Sequence, residues 1–317
     1  MGSVTVEHEG HVAVVTLDRP PVNAIDRPAM GELTEAFRAI DGDREVRVAI
    51  FTAAGDRAFM AGADLRSLDG DAAGPPPPAT VHDPGHIARD LMAAIIHCGV
   101  PVIAAVNGPA IGAGLAFAAS CDVIIAAEGA TFGCTEINVG LLGASAHLAT
   151  LVGRHKAREL FFTGELITAE ELHRLGSVRA VVPRARLLEE AKALAAVLAA
   201  KSPIALRLAK ASMNHVEGLP LEDAYRIEQT YTARLGGFED AEEARRAYVE
   251  KRDPEWRWRL PVRGGRRGAQ PAPGAGRPAR CGPTRRTRPP RRRADAAAAR
   301  PRRRRRRPSR CACPARA

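Results

Sequence analysis

Two glycine-punctuated turns, Ala61-Gly62-Ala63-Asp64 and Gly112-Ala113-Gly114, carry the clearest chemical signal in this 317-residue sequence. Each follows a continuous apolar run, residues 46–52 and 102–106, that reads as a buried strand. The second turn leads into the small, apolar residues 115–119, suited to a buried helix, so backbone N–H groups converge on whatever occupies the turn. A dinucleotide needs a third small residue three positions after Gly114, where Phe117 stands, and no acid is placed to take a ribose. A serine nucleophile also fits poorly, because Gly143-Ala144-Ser145-Ala146-His147 lacks the second glycine of a nucleophile elbow. Two N–H donors from separate loops holding one oxygen is the design of an oxyanion hole, and that reading fits both turns.

The elements around these turns follow from apolar spacing. Residues 4–8 and 11–17 flank Glu9-Gly10 as a β-hairpin, and Asp26 caps a helix with Pro28 in its first turn. Residues 67–85, with Gly74 and four successive prolines, read as a mobile surface loop of the kind that forms lids. His82 and His86 beside it read as solvated rather than metal ligands, because Pro84 and Gly85 break any helix between them. A helix is expected over 86–97, strands over 123–126 and 178–182, and short helices over 147–151 and 156–162. Thr168 with Glu171 forms a capping box for a helix ending at Gly176. Four helices follow, over 185–200, 202–215, 221–236 and 239–250, the second capped by Ser202 with Pro203 at its first position.

Composition then divides the chain. Of the 56 residues from Val262, 47 are Arg, Pro, Ala or Gly, and 20 Arg against one acid give that tail about +19. The net charge of +11 therefore leaves residues 1–261 mildly acidic, at about −8. The tail is expected to be disordered. An Arg-rich arm suits nucleic acid, and a non-catalytic binder is the rival functional class. A dispensable extension fits better, since no aromatic residue is interleaved for base stacking. No apolar run is long enough to span a bilayer, and no signal-peptide pattern opens the chain. Cys98, Cys121 and Cys134 sit in apolar surroundings as buried free thiols, and a cytoplasmic location is expected.

Eight landmarks in register make the chain resemble the enoyl-CoA hydratase/isomerase (crotonase) superfamily over about residues 4–260. They are Leu17-Asp-Arg-Pro with Asn23-Ala24, residues 58–65, residues 101–108, Gly112-Ala-Gly114, Cys121-Asp122, Phe132-Gly with Glu136-Ile, Phe162-Thr-Gly164 and residues 249–252. The resemblance implies an α/β fold with a repeated ββα spiral core over 1–200. A C-terminal helical trimerisation region over 201–260 and the disordered Arg/Pro-rich tail over 261–317 would complete it. It also implies a coenzyme A thioester as substrate, with no tightly bound cofactor and no metal. The thioester carbonyl would be held by the N–H groups of Ala63 and Ala113. Val22, Ala24, Ala61, Gly62, Asp64, Leu65, Arg66 and Gly112 would border the CoA, with Tyr248 and Lys251 meeting it from the C-terminal helices. The assembly would be a homotrimer or a dimer of trimers.

Carboxylates separate reactions within the resemblance. Hydratases of this kind use two glutamates to orient water and move its protons. One position matches Glu136; the other, four residues after Gly112, holds Ala116. Phe132, Ile137 and Val139 suggest an apolar setting that raises the carboxyl pKa of Glu136. His147, in a shortened stretch after Gly140, is a further candidate for the pocket, although a lone loop histidine is more often structural. Hydration of a 2-enoyl-CoA is the family default, and double-bond isomerisation is the alternative that Ala116 supports.

Overall fold

Among the described residues, the alternation of apolar runs and turns up to residue 182 folds into one six-stranded sheet and a small second one. The computed structural model describes residues 2–64, 83 and 85–259. Leu65, Arg66, His82, most of the 67–85 stretch and the basic tail lie outside the described residues. β1 (Val4–Glu9) and β2 (Val12–Leu17) form the expected hairpin. β3 (Val48–Ala53), β4 (Val102–Val106), β5 (Ala110–Ile111), β6 (Val123–Ala127), β7 (Thr131–Gly133), β8 (Ile167–Thr168) and β9 (Ala180–Val182) follow. The large sheet runs β1-β2-β3-β4-β6-β9, parallel throughout except for the first pair. The second sheet is β5-β7-β8.

All five residues of β4 are buried, as a strand covered on both faces requires. The period-two alternation sends Val48, Ile50, Ile103, Ala105 and Ile125 to one face and Ala49, Phe51, Ala104, Val106 and Ala126 to the other. Helix α1 (Arg27–Gly42) packs on the second face, where Phe37, Phe51 and Phe59 meet edge to face at centroid distances of 5.7 and 5.2 Å. Asp26 caps it by accepting from Ala29 N, with Pro28 in its first turn. Four more helices are α2 (His86–Ile96), α3 (Ala113–Ala119), α4 (Ser145–Thr163) and α5 (Ala169–Leu175). Then α6 (Leu187–Ala199) lays Leu187, Ala191 and Ala195, spaced by four, on the first face.

Two local expectations are modified. The helices expected over 147–151 and 156–162 are one longer run, α4, interrupted at Gly153, which takes φ 75°, ψ 169°. Thr168 does cap α5 by accepting from Glu171 N, but the Glu171 carboxylate accepts from Arg174 instead of closing the capping box. An arginine three residues on offers it a two-point, charge-assisted contact.

The C-terminal helices α7 (Pro203–Val216), α8 (Leu221–Leu235) and α9 (Glu239–Glu250) begin with a deep anchor. Lys210 of α7 is 5% exposed, and its Nζ donates to Asp122 Oδ2 at 2.7 Å, Ile95 O at 3.1 Å and Val100 O at 3.2 Å. Asp122 Oδ2 also accepts from Val102 N at 2.7 Å, so this ion pair ties α7 to the start of β4. Cys98 and Cys134 are buried free thiols and Cys121 is half-buried; burial pushes all three upward in pKa, Cys134 to about 12. Among the described residues, no helix is long and apolar enough to cross a membrane, and no cluster of His, Cys, Asp and Glu is placed to hold a metal.

Candidate active site

Beyond β3 the first glycine-rich turn is held between two backbone seams. On one side Ala61 N donates to Val22 O at 3.1 Å, Ile25 N to Gly62 O at 2.9 Å and Asp64 N to Ile25 O at 2.8 Å. On the other, Met60 N donates to Pro109 O at 3.1 Å and Ile111 N to Met60 O at 2.9 Å. Two buried amides hold the start of this loop. Asn23 Nδ2 donates to Ala54 O and Ala58 O, both at 2.9 Å, and Asn107 Nδ2 to Ala53 O at 2.9 Å and Gly55 O at 3.0 Å. The loop carrying Ala63 and the turn carrying Ala113 are thus parts of one cross-bonded backbone.

That network aims both predicted donors. Gly62 C=O and Asp64 N–H face Ile25, so the alternation of extended backbone turns the Ala63 N–H to the opposite side, where Ala63 lines a cavity. Ala113 is the first residue of α3, and its N–H has no acceptor within the helix. Gly112 before it takes φ 54°, ψ −111°, in the region open to glycine. A Cβ on Gly112 would collide with Glu136 Oε1, and one on Gly114 with Met60 O. Glycine at these two positions lets the carboxylate and the first loop close on the start of α3.

Glu136 heads the 3-10 turn Glu136–Val139 directly after β7 and Cys134-Thr135. β7 is aligned with the glycine turn, since Gly112 N donates to Gly133 O at 2.9 Å. Glu136 Oε2 is buried with no hydrogen-bond partner among the described residues. Burial penalises the anion and outweighs a backbone hydrogen bond from its own residue, so the carboxyl pKa is raised.

These groups border one cavity of about 520 Å³, which brings together Ala61, Gly62, Ala63, Gly112, Ala113, Glu136 and His147 from the predicted set. Ala116 lines it too, one turn into α3. Much of the remaining wall is apolar: Met30, Ala88, Met92, Phe117, Val139, Leu141, Leu142 and Ala144. Val22 and Asp64 belong to the backbone seam that holds the loop, and Ala24 O accepts from Arg19 Nη1; none of the three lines the cavity. Tyr248 lies 87% exposed on α9, and Lys251 caps that helix at φ 55°; neither lines the cavity. Leu65 and Arg66 lie outside the described residues. The sequence did not point to Arg89 or Met92, which face the cavity from α2, nor to the supporting roles of Asn23 and Asn107. Polar side chains inside apolar surroundings were the available signal for the asparagines.

The cavity thus holds two backbone donors beside a carboxylate whose Oε2 has no partner among the described residues. The family model described as enoyl-CoA hydratase/isomerase matches residues 7–259. This chain belongs to that family. It is 36% identical over 257 residues to the (7aS)-7a-methyl-1,5-dioxo-2,3,5,6,7,7a-hexahydro-1H-indene-carboxyl-CoA hydrolase of Rhodococcus jostii, covering 80% of this chain and 96% of that one. It is 33% identical over 261 residues to the short-chain-enoyl-CoA hydratase of Clostridium acetobutylicum, covering 80% and 97%. The crystal structure of an enoyl-CoA hydratase from Bacillus anthracis superposes with a TM-score of 0.74 at 32% identity, covering 80% of this chain and 98% of that one. The fold is therefore the crotonase α/β fold, and the family's enzymes act on CoA thioesters. Hydrolase and hydratase both occur among these relatives, so membership leaves the reaction open.

Proposed function

We propose that the protein is an acyl-CoA enzyme that stabilises a thioester enolate, with Glu136 moving the proton. The observation that carries this reading is the placement of the Glu136 carboxylate, its Oε2 buried and unpartnered among the described residues, against Gly112 in the cavity that Ala63 and Ala113 line. As the thioester becomes an enolate, negative charge grows on its oxygen, and hydrogen bonds from Ala63 N–H and Ala113 N–H strengthen. Stabilisation that increases along the reaction lowers the barrier. CoA arrives and leaves as part of the substrate.

In the hydration reading, Glu136 takes a proton from water as the oxygen bonds to C3 of a 2-enoyl-CoA. The double-bond electrons pass into the enolate. The same carboxyl then gives its proton to C2, completing net addition of water. The Clostridium relative is named for that reaction. Isomerisation is the second reading, favoured because Glu136 is the sole carboxylate among the described lining residues and Ala116 supplies no second one. There Glu136 removes a proton from C2 of a 3-enoyl-CoA, and the dienolate is reprotonated at C4. Absorbance of the conjugated enoyl thioester separates them: hydration of a 2-enoyl-CoA bleaches it, and conversion of a 3-enoyl-CoA creates it. Activity on neither, across a panel of chain lengths, would sink both readings.

The exposed helices α8 and α9 fit a homotrimer or a dimer of trimers, with Tyr248 and Lys251 reaching CoA in the assembled particle. Their exposure in the single chain supports that assignment, and light scattering tests the mass.

A further inference from the structure

We infer that His147 is a specificity residue that receives an oxygen substituent on the acyl chain, several carbons away from the thioester. Glu136 aside, the titratable groups lining the cavity among the described residues are Arg89 and His147. The Arg89 guanidinium is already paired with the Asp83 carboxylate. His147 is half-buried in a mostly apolar wall, and its partner is a thioether: Nε2 lies 3.1 Å from Met92 Sδ. A thioether is a weak acceptor, and Nδ1 has no hydrogen-bond partner among the described residues. A half-buried imidazole placed this way gains most from a ligand that supplies an oxygen. Burial also lowers the imidazole pKa, so the ring is neutral at physiological pH and suits a neutral oxygen.

Geometry sets where that oxygen belongs. Glu136 Oε1 packs against Gly143, at 3.2 Å from the position its Cβ would take. His147 stands four residues further, in the first turn of α4, on the wall that Leu141, Leu142 and Ala144 also form. A chain whose C2 and C3 face Glu136 and whose remainder runs along this wall meets the imidazole beyond C3, and C5 is the position tested. A neutral imidazole has one donor and one acceptor nitrogen, so a ketone and a hydroxyl both satisfy it, depending on the tautomer. The expected substrate class is an acyl-CoA with a keto or hydroxyl oxygen at that distance, in place of a plain fatty acyl chain.

This inference rests on the acyl-CoA reading above, and binding measurements separate the two. Titration calorimetry compares hexanoyl-CoA, 5-oxohexanoyl-CoA and 5-hydroxyhexanoyl-CoA with the full chain and with His147→Leu and His147→Gln. One of the two oxygenated esters is expected to bind roughly five- to tenfold tighter than hexanoyl-CoA, the gain of one neutral hydrogen bond. That ratio should collapse to about one in His147→Leu and return in large part in His147→Gln, whose amide also offers a donor and an acceptor. A purely structural role would weaken all three esters alike. Equal binding of all three esters to the unaltered protein overturns the inference, as does a ratio that survives in His147→Leu. Binding of no CoA ester overturns the acyl-CoA reading together with it.

Discussion

Replacing Glu136 by Gln tests the mechanism and the electrostatics of the cavity in one molecule. The amide keeps the shape of the side chain and removes its capacity to accept a proton. General acid–base catalysis by one positioned group contributes about 10²- to 10⁴-fold, so the rate should fall by that factor, about 3–5 kcal/mol of barrier. Stability should move the other way. The pKa of Glu136 is raised in the folded state, so the unfolded chain releases this proton at lower pH than the folded one. Stability is therefore lost as pH rises through the unfolded and folded pKa values, and the full cost is present above the folded one. A neutral amide escapes that cost. Glu136→Gln should melt no lower than the unaltered protein at pH 8, and its advantage should shrink as pH is taken below the ordinary carboxylate range. The same raised pKa places the acid limb of the hydration rate above the range of an ordinary glutamate, because the base must be ionised. Turnover is followed by loss of enoyl-CoA absorbance, and stability by thermal melts across pH. A loss of rate under tenfold, or a clear drop in melting temperature at pH 8, would refute the reasoning.

Gly112→Ala places a side chain at φ 54° and against the Glu136 carboxylate. It should cost about 1–3 kcal/mol in denaturant unfolding and lower the rate, whereas Gly129→Ala, with open space around it at φ 77°, should lose stability and keep its rate. Lys210→Met leaves Asp122 Oδ2 in a half-buried setting without its cation and should cost about 3 kcal/mol by urea denaturation. The double substitution with Asp122→Asn should recover part of that loss, and a fully additive result would show that the pair is not coupled. Ala116→Glu puts a second carboxylate on the cavity wall. Like charges disfavour each other's ionisation, so the acid limb of the pH–rate profile should move to higher pH. An unmoved limb would mean that residue 116 does not face Glu136.

Much of the fold could be read from the chain because its elements are locally coded. Residues 102–106 are apolar without interruption and are buried on both sheet faces, and Asp26 with Pro28 marks the start of α1 where the structure has it. A local detail changed where a competing contact won: α5 keeps its expected caps, but the Glu171 carboxylate meets Arg174. In α4, two expected helices join across Gly153 into one run.

The site divides along a similar line. The sequence alone determined the two glycine turns and the strand before each, because these depend on residue type at fixed spacing; its resemblance to the family marked Glu136 as a matching acid and Ala116 as a missing one. Tertiary structure decided which groups share a cavity. Glu136 is 24 residues from Gly112 along the chain, yet the β5–β7 pairing and the Gly112 N to Gly133 O bond bring its carboxylate over that glycine. Met92 meets His147 across 55 residues, a contact that no local pattern encodes. The unpartnered state of Glu136 Oε2 is also a tertiary property, since a carboxylate's partners come from whatever the fold packs around it. Spacing along the chain names the groups able to do chemistry; packing decides which of them lose water and face the same substrate.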